Sequence, residues 1–337
     1  MRALGKKNPI LINRKTIPRS MKLINVYRLA IEKGIANDPR GKEGVDEVLK
    51  EEKENYDKLS EDRKPLFDME RLWNPYADSR LSFGAEDIEV EKLMWGIDIG
   101  TGEVLLADRL REKGERISGI VGHHPLGSAR TPFPEVMWAQ TSMYVDAGVP
   151  ITVAEGLMAP RVAEVTRGIL PANYNQAVDA AKLLNIPIMN IHSPADNCVQ
   201  RFMDEGIAKE NPKYLKDIID WLMSIPEFRE STKYNSPPKI VVGSPKNHAG
   251  KVVAKMTGGT SGPKEIYEKF SQAGVGTVVA MHFPESHIEE AKKHHINMIV
   301  SGHMASDSVG VNLIADEWEK KGIEVIPCSG LIRVSRN

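Results

Sequence analysis

The chain has 337 residues, a formal net charge of −1 and a hydrophobic fraction of 41%, enough for a sizeable core in one large domain or about two smaller ones. This near-neutral charge gives no support for nucleic acid as the main partner, because phosphate binding requires clustered lysine and arginine. No apolar run reaches the roughly 18 residues that a membrane helix needs. Two cysteines, Cys198 and Cys328, cannot make a disulfide framework and suit a reducing, cytoplasmic setting.

Residues 1–65 are predicted to form a helical, partly disordered N-terminal extension. Two segments in it, LINVYRLAIEKG and GVDEVLKEEKENYDKL, combine helical periodicity with many charges. The second has little apolar content, so we expect it to present a solvated face.

From about residue 88, apolar segments that resemble buried strands alternate with helical periodicity. The predicted strands are KLMWGID, RISGIVG, PITVAE, IPIMNI, KIVVG, KVVAKM, GTVVAM, INMIVSG and IEVIPC. The predicted helices are GEVLLADRLREKG, PEVMWAQTSMYVDAG, NYNQAVDAAKLLN, PKYLKDIIDWLM, PKEIYEKFSQAG, ESHIEEAKKHH and SVGVNLIADEWEKKG. This alternation predicts an α/β protein with mixed or largely parallel sheets flanked by helices. The Pro- and Ser-containing segment 228–239 is the predicted linker between a first α/β lobe, 66–228, and a second, 229–337.

Three polar clusters come directly after predicted strands. They are His123 and His124 in VGHHPLG, His192 and Asp196 in MNIHSPADN, and His303 and Asp307 in VSGHMASD. Taken singly, each has an ordinary structural explanation: a capped turn for the first, an Asx turn or helix N-cap for the second, and the start of a helix for the third. However, ligand sites in α/β folds collect outside the carboxyl ends of strands, so the three clusters can converge on one point.

Imidazole and carboxylate side chains are the ligands that suit zinc, iron and manganese. Adjacent histidines at a bend can point in different directions and so serve two ions. A carboxylate can bridge two such ions at about 3.5–4 Å from each other. Together the clusters therefore predict a metal site between the two lobes.

These motifs resemble those of the Nif-three-like dinuclear metal-binding family, some members of which are labelled GTP cyclohydrolase type two. The resemblance rests on HHPL after a strand, an H-x-x-x-D segment in the middle of the chain and a late GH-x-x-x-acid motif. KLMWGIDIGTGEVLLADRLREKG and HFPESHIEEAKKHHINMIVSGHMASD also look like the segments that precede the family's first and last motifs. The match runs in patches from roughly residue 70 to 335.

The resemblance implies two divalent metal ions per chain, although zinc, iron, manganese and nickel are not distinguished. His123 and His124 would each bind one ion, and Asp196 would be a ligand from the middle loop with His192 beside it. His303 would be a further ligand, and Asp307 a bridging or terminal carboxylate.

The chain departs from the family pattern at two of these motifs. Family members usually have glutamate where this chain has Asp307, and HTNLD where it has HSPAD. The family also implies a ring-shaped homo-hexamer with the metal site facing inwards.

Two glycine-rich turns have other possible roles. GIDIGTGE resembles the phosphate loop of actin-like ATPases, but the helical segment that follows favours a simple helix start. TGGTSGPKE offers Gly258, Gly259 and Ser261, whose backbone N–H groups can hold an anion such as phosphate. The alternative for this second turn is a tight connection from a strand to a helix.

The predicted function is metal-dependent hydrolysis of a nucleotide, phosphoester or cyclic amide by a water held between the ions. His192 or His282 would move the proton. The alternative is a non-catalytic, metal-stabilised oligomeric scaffold or partner-binding protein. The expected partners are a small-molecule substrate and further copies of the chain.

Overall fold

The computed structural model describes residues 20–337. Its helices are α1 (Leu23–Ala36), α2 (Gly41–Asp57), α3 (Thr101–Glu112), α4 (Ala139–Asp146), α5 (Ile151–Ile169), α6 (Gln176–Leu183), α7 (Ser193–Glu210), α8 (Leu215–Ser224), α9 (Pro226–Ser231), α10 (Ile266–Gln272), α11 (Glu285–Lys293) and α12 (His303–Lys320). Its strands are β1 (Met21–Lys22), β2 (Leu81–Phe83), β3 (Glu89–Val90), β4 (Lys92–Gly96), β5 (Gly119–Gly122), β6 (Ile188–Asn190), β7 (Lys239–Val242), β8 (Lys251–Lys255), β9 (Val275–Ala280), β10 (Asn297–Val300) and β11 (Glu324–Cys328). The predicted α/β class is confirmed.

Two parallel-rich sheets organise the chain. The first has the strand order β11-β4-β5-β6-β2, in which only β2 runs antiparallel to its neighbour. The second has the order β7-β10-β9-β8, in which only β7 is antiparallel. A short pair, β1 and β3, stands apart from both. Strands β4 and β5 are almost wholly buried, which explains their continuous apolar runs in the sequence.

The first described helix belongs to the main core. Leu23, Val26, Tyr27, Ala30 and Ile31 of α1 are buried and pack in one cluster with residues of β4, α7 and α12. This helix therefore shares the core of the five-stranded sheet and packs most closely against α7. By contrast, α2 buries only Val45, in line with its highly charged sequence. The predicted disorder at the start of the extension lies outside the described residues.

One predicted strand is wrong. PITVAE begins the 19-residue helix α5, with Pro150 as its N-cap residue. The β-branched pair Ile151 and Thr152 favoured a strand, but proline is well suited to a helix start because its φ angle is already close to helical. Ala154 and Met158 then follow at helical spacing and are buried.

A second correction concerns the middle motif. HSPAD was expected to be a loop, whereas Ser193 begins the 18-residue helix α7 and Asp196 lies in its first turn. The domain boundaries at residues 65 and 228, and the arrangement of the chain as two lobes, stay predictions. Within residues 20–337 no helix is both long and apolar enough to cross a membrane.

Candidate metal centre

The register of the first sheet brings three polar side chains to one edge. Gly96, Gly122 and Asn190 stand level in the neighbouring parallel strands β4, β5 and β6. The residue two positions beyond each of them is Asp98, His124 and His192. Because parallel strands end at the same edge of a sheet, these side chains emerge side by side, and His123 lies among them.

The second sheet repeats this arrangement. Lys255, Ala280 and Val300 stand level at the ends of β8, β9 and β10. His282 follows two residues after Ala280, and His303 three residues after Val300. The rings of His282 and His303 lie 5.0 Å apart, and the ring of His303 lies 5.1 Å from that of His124. Loops from both sheets therefore meet at one place.

Helices α7 and α12 deliver the two carboxylates. Asp196 and Asp307 lie in the N-terminal parts of these helices, which favour negative charge. The helices pack closely at Gly310, where a Cβ atom would stand 2.2 Å from the carbonyl oxygen of Ala195. Only glycine permits this approach, and it holds the Asp196 end of α7 against the Asp307 end of α12.

The predicted ligand atoms converge. His123 Nε2 lies 3.4 Å from Asp196 Oδ1 and 3.6 Å from Asp307 Oδ1. The other oxygen of Asp307, Oδ2, lies 3.6 Å from His124 Nε2 and 3.5 Å from His303 Nε2. His192 Nε2 lies 3.7 Å from Asp196 Oδ2. We call His123, His124, His192, Asp196, His303 and Asp307 the metal cluster.

The chemistry of this donor set fits a metal ion. His123 Nε2, Asp196 Oδ1 and both carboxylate oxygens of Asp307 are buried and have no hydrogen-bond partner among the described residues. Buried polar atoms are nearly always hydrogen-bonded, since burying them unpaired is costly. Three subsets of the cluster also have ligand atoms within 4.8 Å of one another, namely His123–His124–His192, His124–His303–Asp307 and His123–Asp196–Asp307. These buried His and Asp groups could therefore hold a metal ion.

Three histidines of the cluster are oriented through their Nδ1 atoms. Nδ1 of His123 lies 3.1 Å from the carbonyl oxygen of Ile191, that of His124 lies 2.7 Å from Asp98 Oδ1, and that of His192 lies 2.7 Å from Asp78 Oδ2. These partners are acceptors, so each Nδ1 donates a hydrogen bond and each ring directs its Nε2 atom into the cluster, where a metal ion would take the place of a proton. This is the usual way in which proteins orient metal-binding histidines.

The electrostatics of the cluster favour a cation. Burial would lower the pKa of His123, but the facing Asp307 and Asp196 carboxylates outweigh it and raise that pKa well above its usual value. Burial would raise the pKa of Asp307, yet the neighbouring His123 lowers it below the usual value. Burial, with His123 and His192 close by, lowers the pKa of His124 to about 4. At neutral pH His124 is therefore uncharged and available as a ligand.

A cleft of about 880 Å³ opens onto the cluster. His192, Asp196, Asp307 and the more exposed His124 and His303 line it. His303 shows 44% of its side-chain surface to solvent, against 1% for Asp307. The metal cluster is therefore enclosed by protein on one side and open to the cleft on the other.

The remaining predicted site residues lie at the cleft wall or just behind it. His282, Gly259 and Ser261 line the cleft, whereas Gly258 packs behind it, where a Cβ atom would stand 2.4 Å from Gln140 Cγ. Both glycines have positive φ angles, so this turn also needs them for its backbone shape. Their role in holding an anion stays a prediction.

The sequence reasoning missed two carboxylates that orient the histidines. Asp98 follows β4 at the same offset at which His124 follows β5, but the predicted strand KLMWGID extended two residues too far and included Asp98, which hid its place beyond the strand end. Asp78 is wholly buried and bonds His192 and Ser193. It lies 114 residues before His192 and follows no predicted strand, so no local signal pointed to it.

Helix α7 was also missed, because its first residues give no helical signal. Its first turn, SPADN, is polar, and the apolar residues Val199 and Met203 that mark its buried face come only afterwards.

Comparison with solved structures gives the family. A NIF3 superfamily protein from Sphaerobacter thermophilus is 33% identical over 76% of this chain and 92% of that protein, with a TM-score of 0.67. Reduced HcgD from Methanocaldococcus jannaschii is 16% identical over 73% of this chain and 87% of its own, with a TM-score of 0.44. A Bacillus cereus protein related to NIF3 is 10% identical over 77% and 93%, with a TM-score of 0.42.

No protein-family model and no curated protein matches the sequence. The identity to the Sphaerobacter protein over nearly its whole length decides the assignment, in agreement with the HHPL and GH-x-x-x-acid motifs. The chain belongs to the NIF3 superfamily.

Proposed function

We propose that the metal cluster binds two divalent transition-metal ions and that the protein is a metal-dependent hydrolase. The observation that carries this proposal is the contrast between the two sides of the cluster. Its buried side holds carboxylate and imidazole atoms that have no hydrogen-bond partner within residues 20–337, and its other side, with His124 and His303, opens onto a large cleft. Structural metal sites are closed by protein ligands, whereas catalytic sites keep positions open for water and substrate.

The ligand atoms divide into two sets that share Asp307. Its Oδ1 faces His123 and the Asp196 carboxylate, and its Oδ2 faces His124 and His303. Asp307 would therefore bridge the ions, and His192 would join the first set through Nε2. Aspartate reaches less far than the glutamate usual in the family. In this chain Gly310 lets α12 approach α7 closely, and we propose that this approach compensates for the shorter side chain.

Two bound ions of this kind polarise the electrophilic group of a substrate and lower the pKa of water towards neutrality. The protein's own part is to orient the ligands and to move the proton. His282 is the better placed of the two predicted proton carriers, because it lines the cleft and because burial, together with His303, lowers its pKa. Its neutral ring can accept a proton at neutral pH. His192 has its Nδ1 bound to Asp78, so we assign it to orientation and metal binding.

The substrate class is a nucleotide, a phosphoester or a cyclic amide. A volume of about 880 Å³ is large enough for a nucleotide-sized molecule. The ring-opening of a purine nucleotide is the reaction that the GTP cyclohydrolase label of some relatives suggests.

The proposal is tested by metal analysis and a hydrolysis screen on wild type, His303→Ala and the control His294→Ala. His294 pairs with Glu290 on α11, outside the metal cluster. We expect about two ions per chain in wild type and in the control, with fewer ions and no hydrolysis in His303→Ala. Hydrolysis that persists in metal-free protein would contradict the proposal. Two tightly held ions with no hydrolysis of any phosphoester, nucleotide or cyclic amide would instead support a metal-stabilised scaffold.

We also propose that the protein is a homo-oligomer, a hexamer by resemblance to its family. Several large apolar side chains are exposed, among them Trp138 at 40%, Ile151 at 47% and Leu170 at 74%. Exposed apolar surface of this kind is common at subunit contacts. Light scattering coupled to size-exclusion chromatography measures the mass, and a monomer at micromolar concentration would contradict this assignment.

A cytoplasmic location is part of the same proposal. Two free cysteines, Cys198 buried and Cys328 partly buried, agree with a reducing compartment. Cell fractionation with an antibody to the chain tests it, and recovery from an extracellular or organellar fraction would contradict it.

A further inference from the structure

The cleft has a second polar region beyond the metal cluster. At the end of β8, Lys255 lines the cleft and is partly buried. Its Nζ lies 3.2 Å from the hydroxyl of Tyr144, and no carboxylate among residues 20–337 lies within 4.0 Å of it. Burial lowers the pKa of Lys255 to about 8. An ammonium group in such a place is costly unless it meets an anion.

A second cation reaches the cleft from helix α5. Arg161 donates from Nε to the carbonyl oxygen of Ser261 at 3.0 Å, which fixes the guanidinium beside the glycine-rich turn. Its NH1 group bonds the exposed Glu164 at 2.7 Å, which leaves the other terminal nitrogen free of hydrogen bonds among the described residues. Both Arg161 and Ser261 line the cleft.

The pKa of the neighbouring His287 depends on the charge of this region. It is 6% exposed and lies 3.3 Å from the hydroxyl of Tyr267 through Nδ1. Burial, together with the positive charges of Lys255, Arg161 and Lys264, lowers its pKa to about 4. Glu164 pairs with Arg161 at this end, but Lys255 has no carboxylate within 4.0 Å among residues 20–337, so positive charge is in excess here.

This positive end lies beside the metal cluster. Lys255 stands level with Ala280 on the adjacent strand β9, and His282 follows two residues later, with its ring 5.0 Å from that of His303. Lys255, His282 and His303 therefore line one continuous cleft, along which a molecule bound at Lys255 can extend to the ligands of the cluster.

We infer that Lys255, Arg161 and the turn from Thr257 to Ser261 form a subsite for an oxyanionic group, phosphate or carboxylate, of the molecule whose other end reaches the metal cluster. This inference rests on the proposed function, and it narrows the substrate class to anionic compounds. Because lysine and arginine both donate charge-assisted hydrogen bonds to oxyanions, they would hold one end of the substrate while the electrophilic end lies at the metal cluster.

The test is isothermal titration of the full-length protein, as purified, with inorganic phosphate and separately with acetate. Lys255→Met and Arg161→Met should each weaken binding of the preferred anion by about tenfold or more, the usual effect of a lost charged hydrogen bond. Lys255→Arg should retain most of the affinity, because it keeps the charge. The matched control is Lys251→Met on the same strand, where Nζ bonds the carbonyl oxygen of Ala147. Tighter binding of phosphate indicates a phosphorylated substrate, and tighter binding of acetate a carboxylate.

A metal-cluster variant separates this subsite from the metals. Asp307→Asn should lose metal and still bind the anion. Unchanged binding in Lys255→Met and Arg161→Met would overturn the inference, as would loss of binding in Asp307→Asn alone, which would place the anion on the metal ions. If wild type holds no metal but binds phosphate through Lys255, the hydrolase proposal fails and the subsite stands.

Discussion

The two ends of the cleft carry opposite uncompensated charge. At the metal cluster, Asp196 and Asp307 are buried with carboxylate oxygens that have no hydrogen-bond partner in the part of the chain that the structure describes. At the other end, Lys255 has no carboxylate within 4.0 Å among the described residues, and the one carboxylate paired with Arg161 there, that of Glu164, is exposed. Buried charged groups without such partners lower the stability of a folded chain, and they are typical of functional sites. The contrast suggests that one end is built for cations and the other for an anion.

The largest expected effect is that of Asp307→Asn. The amide keeps the shape of the side chain but removes its charge and one acceptor oxygen, so both ligand sets lose their shared carboxylate. Metal content measured by mass spectrometry should fall from about two ions per chain to well below one. Glu317→Gln, a change of a partly exposed carboxylate on the same helix, should leave the metal content unchanged. Retention of both ions in Asp307→Asn would show that Asp307 is not the bridge.

Loss of Asp78 should have the next largest effect at the metal end. In Asp78→Asn the side chain no longer accepts as strongly from Nδ1 of His192 or from the hydroxyl of Ser193. Removal of such orienting partners typically weakens metal binding about 10–100-fold. Competition with a chelator of known affinity measures the change. Wild-type affinity in Asp78→Asn would mean that His192 needs no fixed orientation.

At the cationic end, His287 gives a pH-dependent prediction. Its pKa is near 4 in the folded protein and about 6.5 when unfolded. Between these two pH values the unfolded chain therefore binds more protons than the folded one. The contribution of His287 to the free energy of unfolding is fully present above pH 6.5 and is lost as the pH falls towards 4. The loss amounts to at most about 3 kcal/mol. Urea unfolding of wild type and His287→Gln at several pH values should show that the variant loses less stability in acid. Parallel pH curves for the two proteins would contradict this assignment.

The smallest effect is expected for Asp98→Asn. Asp98 bonds Nδ1 of His124 as Asp78 bonds that of His192, but its side chain is 77% exposed against 0% for Asp78. Solvent screens the exposed pair and water can replace the lost acceptor. Chelator competition should therefore show only a few-fold weaker metal binding. A loss as large as that of Asp78→Asn would show that burial does not set the strength of these orienting bonds.

The sequence predicted most of the fold because each buried strand can be recognised from its own residues. Buried parallel strands such as β4 and β5 read as short apolar runs, and eight of the nine predicted strands form. The exception, PITVAE, has strand-like composition but follows the turn at Gly148, at the exposed start of α5. There Pro150 and the spacing of Ala154 and Met158 outweigh the β-branched residues. Short runs of this kind are ambiguous between strand and helix.

The sequence predicted the candidate ligands of the site. It did not predict the residues that orient them or the cationic residues at the other end of the cleft. His123, His124 and His303 follow strands whose ends meet, so position along the chain translates directly into position in space. Asp78, Lys255 and Arg161 act through contacts between segments far apart in sequence, and nothing in their own neighbourhoods indicates those contacts. Gly310 looks like an ordinary small residue within a helix until the carbonyl oxygen of Ala195 is placed against it.

The most direct test of the central claim is anomalous X-ray scattering from crystals of the purified protein, recorded at the absorption edges of zinc, iron, manganese and nickel. The account predicts two anomalous peaks, about 3.5–4 Å apart, with Asp307 between them, His123 and Asp196 beside one, and His124 and His303 beside the other. A crystal grown with these metals present that shows no peak within reach of Asp307, or peaks only at the protein surface, would contradict the account.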